Sequence, residues 1–263
     1  MSVLNYLQTL ASSTVLGIPE KESIKTSITT LQNRLEYYLG NEISEHFLFG
    51  SYTRETILPR HFDDESDIDY MVVFNDNKLK PQTYLNKLKE FVSKCYSSSE
   101  IYQDSPTIVL ELQHIKFEIV PAIDFGNYLY HNYYIPAKQS SYNDWVHTEP
   151  NEFNDELVRQ NIGNGFQIKP LIRLIKYWNV LNRPSFESFA LEKDIISKRY
   201  LFCNNLKEYF YHYMDNFSTN YQYSNTLNNK ITRMHKIINE MKILESNGCY
   251  QYAESKIREL LPY

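Results

Sequence analysis

Residues 67–74, DIDYMVVF, constrain the fold of this chain more than any other stretch. Their alternation predicts a β-strand with Asp67, Asp69, Met71 and Val73 on one face and Ile68, Tyr70, Val72 and Phe74 on the other. The two carboxylates repel each other unless a cation lies between them, and Mg²⁺ takes hard oxygen ligands of this kind. An isolated Asp-x-Asp pair is nevertheless more often a solvated strand end, and the acidic stretch DDESD overlaps its start.

Hydrophobic periodicity elsewhere predicts an α/β front half and an α-helical back half. Apolar residues at helical spacing predict a helix over 20–39, capped by Gly40, and another helix that begins at Pro81. Three further runs are typical of strands, the last two of them joined as a hairpin: 45–49, 107–112 and 116–123. We therefore expect an α+β chain with a catalytic lobe over 1–150 and a helical lobe over 151–263.

Composition narrows the class of protein. The chain has 263 residues, of which 42% are hydrophobic, so it has room for one large domain or two lobes. A net charge of -5 argues against a dedicated high-affinity nucleic-acid binder, although a local basic groove is compatible with it.

Cys95, Cys203 and Cys249 lie far apart, which favours reduced thiols. No apolar run approaches the ~20 residues of a membrane span, and the first residues lack a signal-peptide pattern. We therefore expect a cytoplasmic protein with no membrane partner.

A Gly-Ser pair and a later strand acid accompany the Asp-x-Asp strand. Gly50 and Ser51 follow the apolar run FLF; glycine lets backbone pass close to a partner, and amide and hydroxyl groups there bind phosphate. Glu118 lies mid-strand in KFEIV, where a charge is costly unless it is paired, bound to metal or exposed. Glu111 in VLEL is the competing third acid. We favour Glu118 because its short strand can run beside the Asp-x-Asp strand.

This combination resembles the polymerase-β-like nucleotidyltransferases, and several stretches narrow the resemblance to the bacterial cGAS/DncV-like nucleotidyltransferases (CD-NTases). FGSYTRET resembles their GSxxRxT opening, and SDIDYMVVF resembles their metal strand. DWVHTEPNEFNDELVRQN resembles their W…T-x-P segment, KPLIRLIKYWN their K-x-W helix, and SFALE the Ser-x-x-L-E segment after it. The resemblance runs from about residue 24 to residue 195, and the rest matches only in being helical.

The resemblance implies a fold, a reaction and a set of site residues. The fold is a mixed-sheet nucleotidyltransferase lobe flanked by helices plus a C-terminal helical lobe, with the active site in the cleft between them. The reaction joins ribonucleoside triphosphates into a cyclic di- or trinucleotide second messenger in bacterial anti-phage (CBASS-type) signalling, and it releases pyrophosphate. Two Mg²⁺ ions, or Mn²⁺ in their place, would be held by Asp67, Asp69 and Glu118, with Glu118 on the ion that activates the acceptor hydroxyl. Gly50 and Ser51 would contact the triphosphate.

The helix predicted over 168–179 has an apolar stripe beside a basic one. The basic residues recur at i, i+4 and i+7: Lys169, Arg173 and Lys176. Taken alone, this stripe fits a solvated helix face as well as a phosphate-binding one. By position in the family motifs, the resemblance implies that Lys176 contacts the triphosphate and that Ser188 adds a hydroxyl contact, with Ser185 as the alternative serine.

Two other classes of function stay open. A nucleotidyltransferase of another type would modify an RNA end, a small molecule or a protein, although a tRNA-acting enzyme should be more basic and a minimal antitoxin-type enzyme shorter. A catalytically silent nucleotide or RNA sensor should have lost carboxylates that are all present here. Under the leading interpretation the expected partners are ATP or other ribonucleoside triphosphates, a downstream effector reached through the product, and an RNA or protein activator of the kind that some relatives use.

Overall fold

The computed structural model describes residues 2–104, 106–126, 130–138, 144–150, 152–220 and 222–263. The expected lobe boundary and the DWVHTEPNEFNDELVRQN segment both include Asn151, which lies outside the described residues. The helices are α1 (Val3–Ser13), α2 (Ile18–Leu39), α3 (Gly50–Thr53), α4 (Pro81–Cys95), α5 (Glu152–Gly163), α6 (Ile168–Leu181), α7 (Ser188–Ser197), α8 (Leu206–Asp215), α9 (Asn225–Ser246) and α10 (Tyr250–Leu260). The strands are β1 (Ile43–Leu48), β2 (Asp67–Phe74), β3 (Glu100–Asp104), β4 (Thr107–Glu111), β5 (Lys116–Asp124), β6 (Tyr133–Pro136) and β7 (Trp145–Thr148).

These elements form two compact units whose boundaries do not follow chain order. The sheet unit consists of Leu16–Arg60 and Asp64–Asp155, and the helical unit consists of Met1–Val15, His61–Asp63 and Glu156–Tyr263. All the strands of the described residues lie in the sheet unit, while α1 and α6–α10 lie in the helical unit. The predicted α+β class, with a mixed sheet flanked by helices, is confirmed.

The sheet has the strand order β1-β2-β5-β4-β3, and β6 pairs with β5 and with β7. β2 and β5 run parallel, whereas β1 with β2, β4 with β5 and the remaining pairs are antiparallel. The predicted strands and the predicted hairpin between β4 and β5 are confirmed, with ends shifted by at most two residues. β3, β6 and β7 were not predicted.

The two faces of the sheet bury different amounts of apolar surface. The face with Ile68, Tyr70, Val72 and Phe74 packs in a large core with the apolar stripes of α2 and α4. Each buried Leu, Ile or Phe in such a stripe stabilises the fold by about 1.5–3 kcal/mol. The opposite face holds a small buried cluster: Met71, Val73, Val120 and Ala122. The face assignment predicted for residues 67–74 is therefore confirmed, and the carboxylates share a face with the smaller cluster.

The helical unit is organised around α6. Ten of its residues are buried, which is the pattern of a central helix and not of a surface helix. The short piece His61–Asp63 belongs to this unit because the Phe62 ring packs edge-on against Tyr177, with centroids 4.9 Å apart. Tyr177 in turn donates a hydrogen bond to the carbonyl of Pro262 at 2.6 Å.

None of the described helices has both the length and the hydropathy that crossing a membrane requires. The three cysteines are free thiols, as predicted.

Candidate active site

The parallel pairing of β2 and β5 brings the three predicted carboxylates together. Its register places Asp69 beside Glu118 and Asp67 beside Lys116. Paired positions on neighbouring strands lie ~4.8 Å apart and point to the same face. Asp67, Asp69 and Glu118 therefore project from one face at the N-terminal ends of two adjacent strands.

Glu111, the competing third acid, lies one strand further away. It is on β4, opposite Lys116 of β5, and its Oε1 atom is 3.0 Å from Nη1 of Arg60. Glu118 is on the strand next to the Asp-x-Asp strand, whereas Glu111 is one strand further away and pairs with Arg60. This geometry favours Glu118 as the third carboxylate.

Gly50 lies directly against Asp69. Its φ of +75° is a conformation that other residues adopt at a cost, and a Cβ built on it would lie 1.7 Å from Oδ2 of Asp69. The preceding N–H, that of Phe49, donates to the Asp69 carbonyl at 3.1 Å. A close approach is therefore present at Gly50, and the neighbour that requires it in this structure is the Asp69 carboxylate, while the expected contact with a triphosphate stays a prediction.

Ser51 lies in the tight turn that follows. Its carbonyl accepts hydrogen bonds from the N–H groups of Thr56 (3.0 Å) and Ile57 (3.2 Å). Backbone hydrogen bonds within the segment 51–57 therefore hold this turn together. Arg54 on the same loop is buried, and its guanidinium lies 5.3 Å from the ring centroid of Phe153.

Lys116 is a site residue that the sequence interpretation missed. Its side chain is only 9% exposed, and Nζ lies 3.0 Å from Oε2 of Glu65 and 3.7 Å from Oε1 of Glu118. Burial alone would lower the pKa of Lys116, but the hydrogen bond that its ammonium donates to Glu65 and the charges of Asp67 and Glu118 outweigh it, so the pKa is raised. The spacing Lys-x-Glu in KFE, with both residues on one strand face, was the available signal.

The donor set fits a hard divalent cation. Three carboxylates converge on one strand face, and the glycine beside Asp69 leaves no side chain in the way. Oxygen ligands of this kind suit Mg²⁺ or Mn²⁺. Lys116 provides one positive charge at the same place, so the carboxylates are partly neutralised by the protein itself.

A second charged cluster lies toward the other end of the sheet. Single ligand atoms of Glu45, Asp124 and His131 lie within 4.8 Å of one another, a grouping compatible with a metal ion. His131 Nδ1 is 2.8 Å from Asp124 Oδ2 and 3.6 Å from Glu45 Oε1, and the Tyr133 hydroxyl donates to Glu45 Oε1 at 2.7 Å. We interpret this cluster as ion pairs that join the end of β5 to β1, because the His131 ring lies within ion-pair distance of both Asp124 and Glu45.

The remaining predicted residues belong to the helical unit. Lys176 is buried, and its Nζ lies 3.6 Å from Oε1 of Glu192, which is fully buried. Arg173 is buried as well and Lys169 is half-buried, so two of the three basic residues of α6 do not lie on a solvated face. Ser188 is the first residue of α7 and is exposed. Glu192 and Ser188 both come from SFALE, so this segment contributes both the buried partner of Lys176 and the predicted hydroxyl.

Ser185, the alternative serine, lines a cavity of about 590 Å³ in the helical unit. Phe186, Phe217 and Tyr223 form part of its wall, and the Phe186 and Phe217 rings meet edge-on at 5.1 Å. The Ser185 hydroxyl donates to the Arg183 carbonyl at 3.0 Å. The described residues that line this cavity all belong to the helical unit.

Comparison with known proteins adds a family match. Residues 1–161, more than half of the chain, match the family described as Second Messenger Oligonucleotide or Dinucleotide Synthetase domain. A probable cyclic nucleotide synthase from Bacillus cereus (strain VD146) is 26% identical over 209 residues. The aligned region covers 66% of this chain and 60% of that protein, so the chain spans about three fifths of its relative's length.

Solved structures share the fold at low sequence identity. CdnC of Escherichia coli MS115-1 with ATP has a TM-score of 0.70 at 14% identity, over 100% of this chain and 98% of that one. The same protein in a complex with HORMA-deltaN has a TM-score of 0.69 at 14% identity, over 99% and 97% of the two chains. DncV of Vibrio cholerae in its 3'-deoxy GTP bound form has a TM-score of 0.73 at 11% identity, over 96% and 92%. At these identities the likeness shows the fold.

Proposed function

This chain belongs to the family of Second Messenger Oligonucleotide or Dinucleotide Synthetase domains, and on that premise we propose that it joins ribonucleoside triphosphates into a cyclic di- or trinucleotide, with Mg²⁺ as the cofactor. The observation that carries this proposal is the strand register that sets Asp69 beside Glu118, with Asp67 on the same face. Family membership alone would be compatible with a silent sensor. A complete carboxylate set beside Gly50 favours an enzyme.

The proposed reaction is a nucleotidyl transfer. A ribose hydroxyl oxygen forms a bond to the α-phosphorus of a second nucleotide, the bond from that phosphorus to pyrophosphate breaks, and the hydroxyl proton is released. Bound Mg²⁺ would neutralise the phosphate charge and lower the pKa of the attacking hydroxyl. Asp67 and Asp69 would hold both ions, and Glu118 would hold the one on the acceptor side. These residues act by position and charge, because phosphoryl transfer asks for little covalent chemistry from the protein.

Phosphate contacts are proposed for four further residues. Gly50 and Ser51 open the loop beside Asp69, where backbone N–H groups can meet a triphosphate that is also bound through its metal ions. Lys176 and Ser188 would bind the triphosphate from the helical unit, by their position in the family motifs.

Substrate and partner classes follow from the relatives as proposals. The ATP in the CdnC structure and the 3'-deoxy GTP in the DncV structure support ribonucleoside triphosphates as substrates. The CdnC complex with HORMA-deltaN supports a protein activator, and an RNA activator is the alternative. A downstream effector would respond to the product, in the cytoplasm of a bacterium under phage attack.

The test is product analysis. Purified protein is incubated with all four ribonucleoside triphosphates and Mg²⁺ or Mn²⁺, treated with phosphatase and examined by mass spectrometry. The control is Asp67→Asn/Asp69→Asn, which keeps the side-chain shapes. We expect a phosphatase-resistant cyclic product that the control does not form.

A different outcome would redirect the assignment. If no product forms, phage-infected lysate or RNA is added to supply an activator. Continued absence of a cyclic product, with nucleotide transferred to RNA, a small molecule or a protein in the lysate, would identify a nucleotidyltransferase of another type. Binding of nucleotide with no release of pyrophosphate in any mixture would identify a silent sensor.

A further inference from the structure

A lysine lies within the carboxylate face of the sheet. Lys116 and Glu118 are two apart on β5 and therefore share a face, and the parallel register sets Lys116 beside Asp67. The lysine is 7% exposed, so its ammonium group has lost most of its contact with water. A buried ammonium is costly unless carboxylates surround it, which is the arrangement here.

The groups around Lys116 come from three strands and a loop. Glu65, on the loop before β2, approaches Nζ to 3.0 Å although its own side chain is 74% exposed. Glu118 of β5 lies at 3.7 Å, and Asp67 of β2 is the paired neighbour. Glu111 of β4, opposite Lys116, is bound by Arg60 at 3.0 Å. These distances connect Lys116 to Glu65 and Glu118, whereas Glu111 is paired with Arg60.

We propose that Lys116 is the resident counter-ion of this site: it holds Glu118 in position when no metal is bound, and it weakens the binding of divalent ions to the free protein. It is a positioning residue and acts through the carboxylates. The proposal rests on the proposed function only in taking Asp67, Asp69 and Glu118 as the metal-binding set.

The sign of the effect follows from Coulomb's law. A fixed positive charge one strand away repels a divalent ion, and in a water-like medium with salt this weakens binding by about tenfold. The triphosphate of a substrate adds negative charge that offsets the lysine. Stable metal binding would then depend on the nucleotide. The nucleotide-free protein would bind divalent ions weakly, and the protein with bound nucleotide would bind them tightly.

The experiment measures metal binding directly, without turnover. Mn²⁺ is titrated into nucleotide-free protein and free Mn²⁺ is read from its electron paramagnetic resonance signal. Lys116→Gln keeps an amide that can bond to Glu65 and removes the charge; we expect it to bind Mn²⁺ about tenfold more tightly than the original chain. Lys116→Arg keeps the positive charge, and its affinity for Mn²⁺ should lie within about twofold of that of the original chain. The Mn²⁺ ions that the Asp67→Asn/Asp69→Asn variant no longer binds are the ions bound at this site.

Thermal unfolding supplies the second readout. Without metal, Lys116→Gln should unfold several degrees lower, because Glu65, Asp67 and Glu118 then lose the positive charge of Lys116, and Mn²⁺ should raise its midpoint by more than it raises that of the original chain. Lys207→Gln is the matched control: its Nζ lies 3.0 Å from Glu245 in the helical unit, with a side chain 25% exposed. It should unfold at a lower temperature with no change in Mn²⁺ affinity.

The outcomes separate this inference from the proposed function. Lower stability with unchanged Mn²⁺ affinity in Lys116→Gln would reduce Lys116 to a structural ion pair and overturn the proposal. A variant that folds only when Mn²⁺ is present would support it. If Asp67→Asn/Asp69→Asn binds Mn²⁺ like the original chain, the metal-site assignment itself is wrong, and with it the proposed function.

Discussion

Gly50 and Asp69 exclude a side chain between them: a Cβ at position 50 would lie 1.7 Å from Oδ2 and 2.5 Å from Cγ of Asp69. No rotation of a flexible group resolves this overlap, because the Cβ of Asp69 is itself only 2.8 Å away. The φ of +75° adds a second constraint of the same kind. The glycine therefore serves the placement of a carboxylate, and any access it gives to phosphate comes in addition.

The first prediction concerns Gly50→Ala. It should destabilise the protein by more than about 2 kcal/mol, since the left-handed conformation alone costs an alanine about 1–2 kcal/mol and Asp69 must also move. Because Asp69 moves, we further expect Mn²⁺ affinity to fall by about tenfold or more. Thermal unfolding and Mn²⁺ titration measure the two effects.

Gly165 is the matched control for Gly50. It has a similar φ of +58°, but a Cβ there would meet nothing within 4 Å. Gly165→Ala should therefore show the conformational cost with unchanged metal affinity. Equal destabilisation in the two variants, with Mn²⁺ binding retained in both, would contradict the role given to the Gly50–Asp69 contact.

The second prediction separates the two candidate third acids. Glu118→Gln should reduce formation of the nucleotide product by about 100-fold or more, because under the proposed function it would remove a charged ligand of the acceptor-side ion. Glu111→Gln should keep activity within about threefold and lose about 1 kcal/mol of stability, because it only weakens the pair with Arg60. Initial rates of pyrophosphate release measure both variants. The reverse ranking would make Glu111 the metal ligand.

The placement of these acids shows how far sequence reasoning reaches. The faces of β2 were predictable residue by residue, because alternation is a local property and one face is wholly apolar. Glu118 was also a candidate metal ligand for a local reason, because it is a charged residue with apolar neighbours in the sequence. The parallel register that pairs Asp69 with Glu118 is not local, and no spacing in the sequence encodes it.

What the sequence did not predict has physical reasons. β3 reads EIYQD, a short edge strand with alternating exposed residues, and β6 and β7 have four residues each, so none has a strong apolar pattern. Lys116 was missed because its role depends on Asp67 across the strand pair. The burial of Lys176 was missed because its neighbour Glu192 lies on the next helix.

The third prediction concerns pH and the cluster at the end of β5. The hydrogen bond that the His131 ring donates to Asp124, together with the charge of Glu45, raises the pKa of His131 above its usual 6.5. Burial alone would raise the pKa of Asp124, but the N–H groups of Asn132 and Gly126 and the His131 ring outweigh it and lower that pKa below 3.8. The stabilisation from His131 is therefore present at lower pH and is lost as pH rises through its raised pKa.

Unfolding midpoints of the original chain and His131→Gln, measured from pH 5 to pH 9, test this sign. The original chain should be the more stable one at pH 5–6, and the difference should shrink toward pH 9. Because the His131 side chain is 60% exposed, 1 M salt should also reduce the difference at pH 6. A difference that is independent of pH would mean that His131 contributes by packing on Tyr133, whose ring lies 5.2 Å away and nearly parallel.

The last prediction concerns the buried pair of Lys176 and Glu192. Their closest charged atoms are 3.6 Å apart, and the side chains are 5% and 0% exposed, so removing either one leaves a charge with little access to water. Each single variant, Lys176→Met or Glu192→Met, should lose about 3–5 kcal/mol, whereas the double variant should regain much of that stability. If Lys176 also binds triphosphate, the double variant should recover its unfolding midpoint but bind ATP more weakly than the original chain. Calorimetry with ATP and Mg²⁺ measures that affinity. Recovery of both stability and ATP affinity would show that the lysine serves only to join α6 to α7.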